Sequence, residues 1–187
     1  MGSLVQKLHE ARVKNIESRY FIPDNALETC LSREAVHECI QSTSIEVYHR
    51  REIEDAVMNG GKRMFGILVI LGEESSIRSF IERDQLVQTY KLDSKLPIAI
   101  EDLRKIYPTG ATASLFHEKQ WEVLAPFFRE DKSHRIFDQD TVFPFVGLEV
   151  LPKGGFGEIS KVELDEAHHG FSAATGGKVT SKNSVVG

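Results

Sequence analysis

The sequence predicts a mainly α-helical protein that changes character towards its C-terminal end, where a β-hairpin and then a disordered tail follow the helices. Three observations predict it. From residue 4 to about residue 128, apolar residues recur at helical spacing between residues suited to cap helices. Leu151 to Leu164 join a glycine cluster to a β-branched, alternating run. Residues 172–187 are dominated by Gly, Ser, Thr, Lys and Ala, the composition of a linker that buries too little to order itself.

Leu4, Leu8, Ala11 and Ile16 make one apolar stripe with Lys, Glu and Arg between them, so a first helix is expected over Leu4 to Ser18, broken by Tyr20-Phe-Ile-Pro23. Ser32 is placed to cap a second over Arg33 to Gln41, with Glu34 near its positive end. A third runs from Ser44 or Ile45 to Met58 and stops at Asn59-Gly60-Gly61. Lys62 to Leu71 continues as a buried helix, with a strand as the alternative because eight apolar residues cannot be typed by period; Gly72 ends it. Ser75 or Ser76 opens a short amphipathic helix through Ile77, Phe80 and Ile81, and Ile100 to Ile106 forms another after Pro97. Phe116 to Phe128 carries the single tryptophan on an apolar face broken by Pro126, and Phe116, Trp121, Leu124, Phe127 and Phe128 are expected to pack in the core.

The 187 residues suffice for one sizeable domain, or one domain and a fragment. With 41% apolar and 27% charged residues and a net charge of −5, the chain lacks the bulk positive charge of a nucleic-acid binder and has no basic run. The longest apolar stretch, Met64 to Leu71, is far short of the roughly 20 residues that span a bilayer. No apolar h-region follows Met1, and Gln6 stands where a myristoylation pattern needs Ser or Thr. A soluble, intracellular, cytoplasmic protein without nucleic-acid or membrane contacts is expected. Cys30 and Cys39 are then reduced core thiols; a metal site joining them to His37 matches no zinc spacing and lacks a fourth ligand. His168 and His169 are expected in a surface loop with their side chains pointing opposite ways.

The stretch that demands specific chemistry is Leu151-Pro-Lys-Gly-Gly-Phe-Gly-Glu-Ile159. Gly154 and Gly157 are the last two glycines of a G-x-G-x-x-G pattern, with Phe156 before the final glycine and Ile159 two residues after it. Glycines there let backbone N–H groups approach phosphate oxygens with no Cβ in the way, while flanking apolar residues cover a base. A dinucleotide-binding turn would open a helix after Gly157, whereas Glu158 to Leu164 reads as a strand, which favours the order used by protein kinases. Pro152 departs from that order, since it replaces the first glycine and gives up a backbone donor. An ordinary glycine-rich hairpin without a ligand is the plain alternative.

Leu96-Pro97-Ile98, Gln120-Trp-Glu-Val-Leu-Ala-Pro-Phe127, Thr141-Val-Phe-Pro-Phe145, the glycine loop, and Lys161-Val162 followed by Ala167-His-His-Gly-Phe171 resemble, in order, a family of fungal protein-kinase-like proteins. The resemblance implies a helical region, residues 1–135, leading into the first two strands of a serine/threonine kinase small lobe, residues 136–171, with the tail 172–187 in place of a variable insertion. It makes the aromatic stripe a seam against that lobe. It also implies ATP with Mg as ligand, held by Leu151, Lys153, Gly154, Gly155, Phe156, Gly157 and Ile159.

Phosphoryl transfer further needs a third-strand lysine with its glutamate partner, a catalytic-loop aspartate and asparagine, and a magnesium-binding aspartate. None can be assigned, and neither Lys178 nor Lys182 follows the apolar alternation of a V-A-I-K strand. The expectation is a truncated kinase-like protein with weak nucleotide affinity and no catalytic residues. The alternative is a non-catalytic interaction module in which the helices, residues 1 to about 128, bind a protein partner.

Overall fold

The computed structural model describes residues 2–84, 91–107, 109–130, 134–151, 159–171 and 178–182. The order is α1 (Leu4–Glu10), β1 (Val13–Lys14), β2 (Tyr20–Phe21), α2 (Asp24–Cys30), α3 (Arg33–Gln41), α4 (Val47–Met58), α5 (Lys62–Leu71), α6 (Ile77–Asp84), α7 (Ile100–Ile106), α8 (Ala111–Lys119), β3 (Phe145–Val150), β4 (Ile159–Leu164) and β5 (Lys178–Lys182). The strands form two antiparallel sheets, one pairing β1 with β2 and the other in the order β3-β4-β5.

The apolar run that periodicity could not type is α5, and it is the axle of the helical part. Met64, Phe65, Ile67, Leu68 and Val69 are buried all round, and α1, α2, α4, α6 and α8 pack against it. Gly66 permits that closeness: a Cβ there would lie 3.3 Å from Leu27 Cδ1 and 3.4 Å from Leu31 Cδ1. Gly72 ends the helix in the left-handed region at φ 69°, as its position predicts. The other end lacks a local cap, and Asp93 supplies one from afar. Its carboxylate accepts from the Arg63 N–H at 3.1 Å and the Met64 N–H at 2.9 Å.

Ser32 caps α3 by accepting from the Ala35 N–H, α4 stops at Asn59, and α6 and α7 stand where their apolar positions put them. A further helix, α2, fills residues the periodicity left unassigned. Gln120 is wholly buried and acts as a backbone surrogate. It accepts from the Ile98 N–H at 2.7 Å and donates to the carbonyls of Ile98 and His117, each at 3.2 Å.

Three expectations need correction. The first helix ends at Glu10 rather than reaching Ser18. Asn15 captures the chain in a turn, its Oδ1 accepting from the N–H groups of Glu17 and Arg19, and Ser18 sits at φ 64°; a helix cannot pass such a turn. The Trp121 segment is helical only to Lys119, continues as a 3-10 turn over Gln120–Val123, and then leaves regular secondary structure. Pro126 withholds a donor and the Phe128 N–H turns to the His168 carbonyl at 2.8 Å. The aromatic stripe is split accordingly. Phe116 enters the main core, Trp121 joins a second cluster with Phe21, Ala125 and Val142, and Phe127 is exposed. Within the expected disordered tail, Lys178–Lys182 form β5 against β4; residues 172–177 and 183–187 lie outside the described residues.

Candidate functional site

β3 and β4 pair with Leu148 opposite Val162, Glu149 opposite Lys161 and Val150 opposite Ser160, so Leu151 and Ile159 flank the glycine-rich connection one step beyond the last pair. Leu151 is half-buried. Ile159 opens β4 and pairs on its other side with Lys182 of β5. Lys153, Gly154, Gly155, Phe156 and Gly157 lie outside the described residues. A register shift between Phe145 and Gly147 bends β3 at its start. A Cβ at Gly147 would come within 2.8 Å of Glu163 Oε2 and 3.1 Å of Glu163 Cβ, so a side chain there would require Glu163 to move.

The two strands form the floor of a shallow cleft of about 270 Å³ lined by Gly147, Leu148, Glu149, Lys161, Val162 and Glu163. Lys161 Nζ meets Glu149 Oε2 across the strands at 2.8 Å. With Glu163 beside that pair, the described residues lining the cleft bring two carboxylates and one ammonium.

Among the described residues, the helical part grips this sheet at its base in two places. The hairpin turn between β1 and β2 is the first. Asn15 Nδ2 donates to the Phe143 carbonyl at 3.0 Å, the Ile16 N–H donates to the Phe145 carbonyl at 2.9 Å, and Arg19 donates to the carbonyls of Asp140 and Thr141. Within the helical part a buried ion pair ties the approach to that hairpin to the Trp121 segment: Arg12 Nε lies 2.8 Å from Glu122 Oε2, Lys119 holds the other oxygen at 2.8 Å, and the Glu122 carbonyl accepts from the Ile22 N–H at 2.7 Å. The second grip on the sheet is His168, in the turn after β4.

His168 is not in a surface loop, as its sequence context suggests, but wholly buried, with its ring edge-on to Phe21 at 5.3 Å and 82°. Burial pushes the imidazole below the ordinary histidine range, against the pull of Asp24, Asp165 and the Pro126 carbonyl. His169, half-buried, turns away and stacks on Phe171. Cys30 and Cys39 are free, and burial raises both thiols, Cys39 to about 11. His37 Nδ1 is engaged by Glu54 at 2.9 Å.

Sequence reasoning missed Asn15, Arg19 and His168. A signal for the first two existed: Asn15-Ile-Glu-Ser18 is a turn cluster between the β-prone pairs Val13-Lys14 and Tyr20-Phe21. None marked His168, because its burial depends on Phe21 and α2, more than a hundred residues earlier.

Comparison with protein-family models, characterised proteins and solved structures finds no match to the chain. Among the described residues, no helix is long and apolar enough to cross a membrane, and no three His, Cys, Asp or Glu side chains gather to hold a metal ion.

Proposed function

We propose that residues 136–182 are the nucleotide-loop edge of a protein-kinase-like small lobe mounted on a helical module, and that they bind Mg-ATP weakly without transferring its phosphoryl group. The observation carrying this reading is the sheet order β3-β4-β5, antiparallel throughout, with the glycine-rich connection between its first two strands. Kinase small lobes place the phosphate-covering loop there and their nucleotide lysine on the third strand. Lys178 and Lys182 both stand on β5, Lys182 in register with Ile159. Affinity is low because Pro152 removes a backbone donor. Transfer fails because these 187 residues present no assignable catalytic-loop or magnesium-binding aspartate.

Calorimetric titration of the full chain with Mg-ATP tests this. A Kd on the order of 1 mM, about −4 kcal/mol, is expected, weakened at least tenfold by Gly154→Ala with Gly157→Ala. Micromolar binding, binding indifferent to both glycines, or none at 10 mM nucleotide overturns the reading.

A second reading, in which the helices bind a protein partner and the hairpin is a remnant, is favoured by Val47 and Tyr48, 76% and 73% exposed side by side at the start of α4. It predicts that Val47→Ser with Tyr48→Ser abolishes partner capture while the glycine variants do not.

A further inference from the structure

We propose that His168 is an acid-sensitive latch: neutral, it holds the strand-bearing segment against the helices, and protonated, it lets that segment go. The geometry carries this. The turn Glu166–His168 is fastened where four elements meet. The Phe128 N–H donates to the His168 carbonyl at 2.8 Å, the Gly170 N–H donates to the Phe128 carbonyl at 2.9 Å, α2 packs on the turn, and the imidazole closes edge-on against Phe21 of β2. Its side chain is thus the plug of the joint between the helices and the sheet.

The charges facing the plug decide what a proton does there. From α2 comes Asp24, the strongest of the groups that favour an imidazolium, and from α5 comes Arg63, its ion-pair partner at 2.8 Å, which opposes it more weakly. From its own turn comes Asp165, whose Oδ1 already accepts from the Ala167 N–H at 3.0 Å. From the irregular segment after Trp121 comes only the Pro126 carbonyl, and from β2 only the apolar Phe21 ring. An imidazolium in this place has two carboxylates, each already committed to another partner, and one carbonyl to replace its water; desolvation outweighs them, and the neutral ring is the form the joint accepts. The open state takes up the proton first, so the joint weakens as pH falls below the ordinary histidine value of about 6.5.

Trp121, the single tryptophan, shares the cluster of Phe21 and reports on the joint. The test is a titration of the full chain from pH 7.5 to 5.0, read by Trp121 emission, far-UV circular dichroism and hydrogen exchange. A red shift of the emission with retained helical dichroism is expected, together with a roughly tenfold rise, beyond the chemical pH effect, in exchange at Phe128 and Gly170. Amides of α5 should stay protected. In His168→Leu the emission change should vanish, and in His169→Gln it should persist. The inference is overturned by an unmoved emission, by a transition that survives in His168→Leu, or by loss of α5 protection in step with the joint. Should His168→Leu not fold, exchange in the parent protein decides alone, since absence of the local rise is equally fatal.

Discussion

Replacing Asn15 tests whether the helices and the small sheet are one cooperative structure. The side chain is 5% exposed and makes three hydrogen bonds: Oδ1 accepts from Glu17 and Arg19 within its own turn, and Nδ2 donates to the Phe143 carbonyl across 128 residues of chain. At a net 0.5–1.5 kcal/mol per bond, Asn15→Ala should cost about 2–4 kcal/mol. For a chain of this size that corresponds to a drop in melting temperature of roughly 4–16 °C. Asn15→Asp separates the two roles, because it keeps the acceptor of the turn and loses the donor to Phe143. Thermal denaturation followed by circular dichroism gives the total. Hydrogen exchange gives the partition: in Asn15→Asp the Ile16 amide should exchange faster while Glu17 and Arg19 stay protected, and in Asn15→Ala all three should open. A melting temperature within about 2 °C of the parent in Asn15→Ala, or identical exchange patterns in the two variants, would refute the reasoning.

Gln120→Ala should destabilise by about 2–4 kcal/mol in urea denaturation, since it strands the Ile98 N–H and carbonyl that the buried amide satisfies. Gly66→Leu should cost about 1–3 kcal/mol by overpacking against Leu27 and Leu31, whereas Gly66→Ala should be nearly neutral, the helix gain offsetting small shifts of two leucine ends; equal melting temperatures for the two variants would contradict this. The hydrogen bond from His37, then that from Arg33, holds the Glu54 carboxyl below the usual carboxylate range. A depressed carboxylate stabilises above its unfolded value, about 4.3, and that contribution disappears as pH falls through the folded value. Stability of Glu54→Gln should therefore fall less steeply than the parent's between about pH 4.5 and pH 3; parallel curves would count against the pair.

How much of this was legible in the sequence follows from the range of the interactions. Caps and helix ends are decided within a few residues, so Ser32, Gly72 and the bounds of α7 could be read directly. The helical nature of α5 could not be typed from its own composition, because burial on every side erases periodicity; neighbours on all faces decide it. The premature end of α1 was hidden by Ile16, which completes an apolar stripe by coincidence and in fact reaches over to Phe145. β5 was obscured because a strand docked by backbone pairing to β4 does not need an alternating pattern of its own. Of the candidate site, sequence supplied the flanking residues Leu151 and Ile159, and the docking contacts that fix where those flanks stand came from residues too distant to be paired by inspection.

The reach of the Asn15 bond also bears on how the chain is made. Its acceptor leaves the ribosome 128 residues later, which at the usual 5–20 residues per second is roughly 6–26 s of synthesis. Throughout that interval Phe21, Asn15 and Arg19 present an unfinished surface. Asp93 likewise reaches the first turn of α5 only after some 30 further residues. The nascent N-terminal region is therefore a template waiting on successive clasps, and the strand segment closes it last.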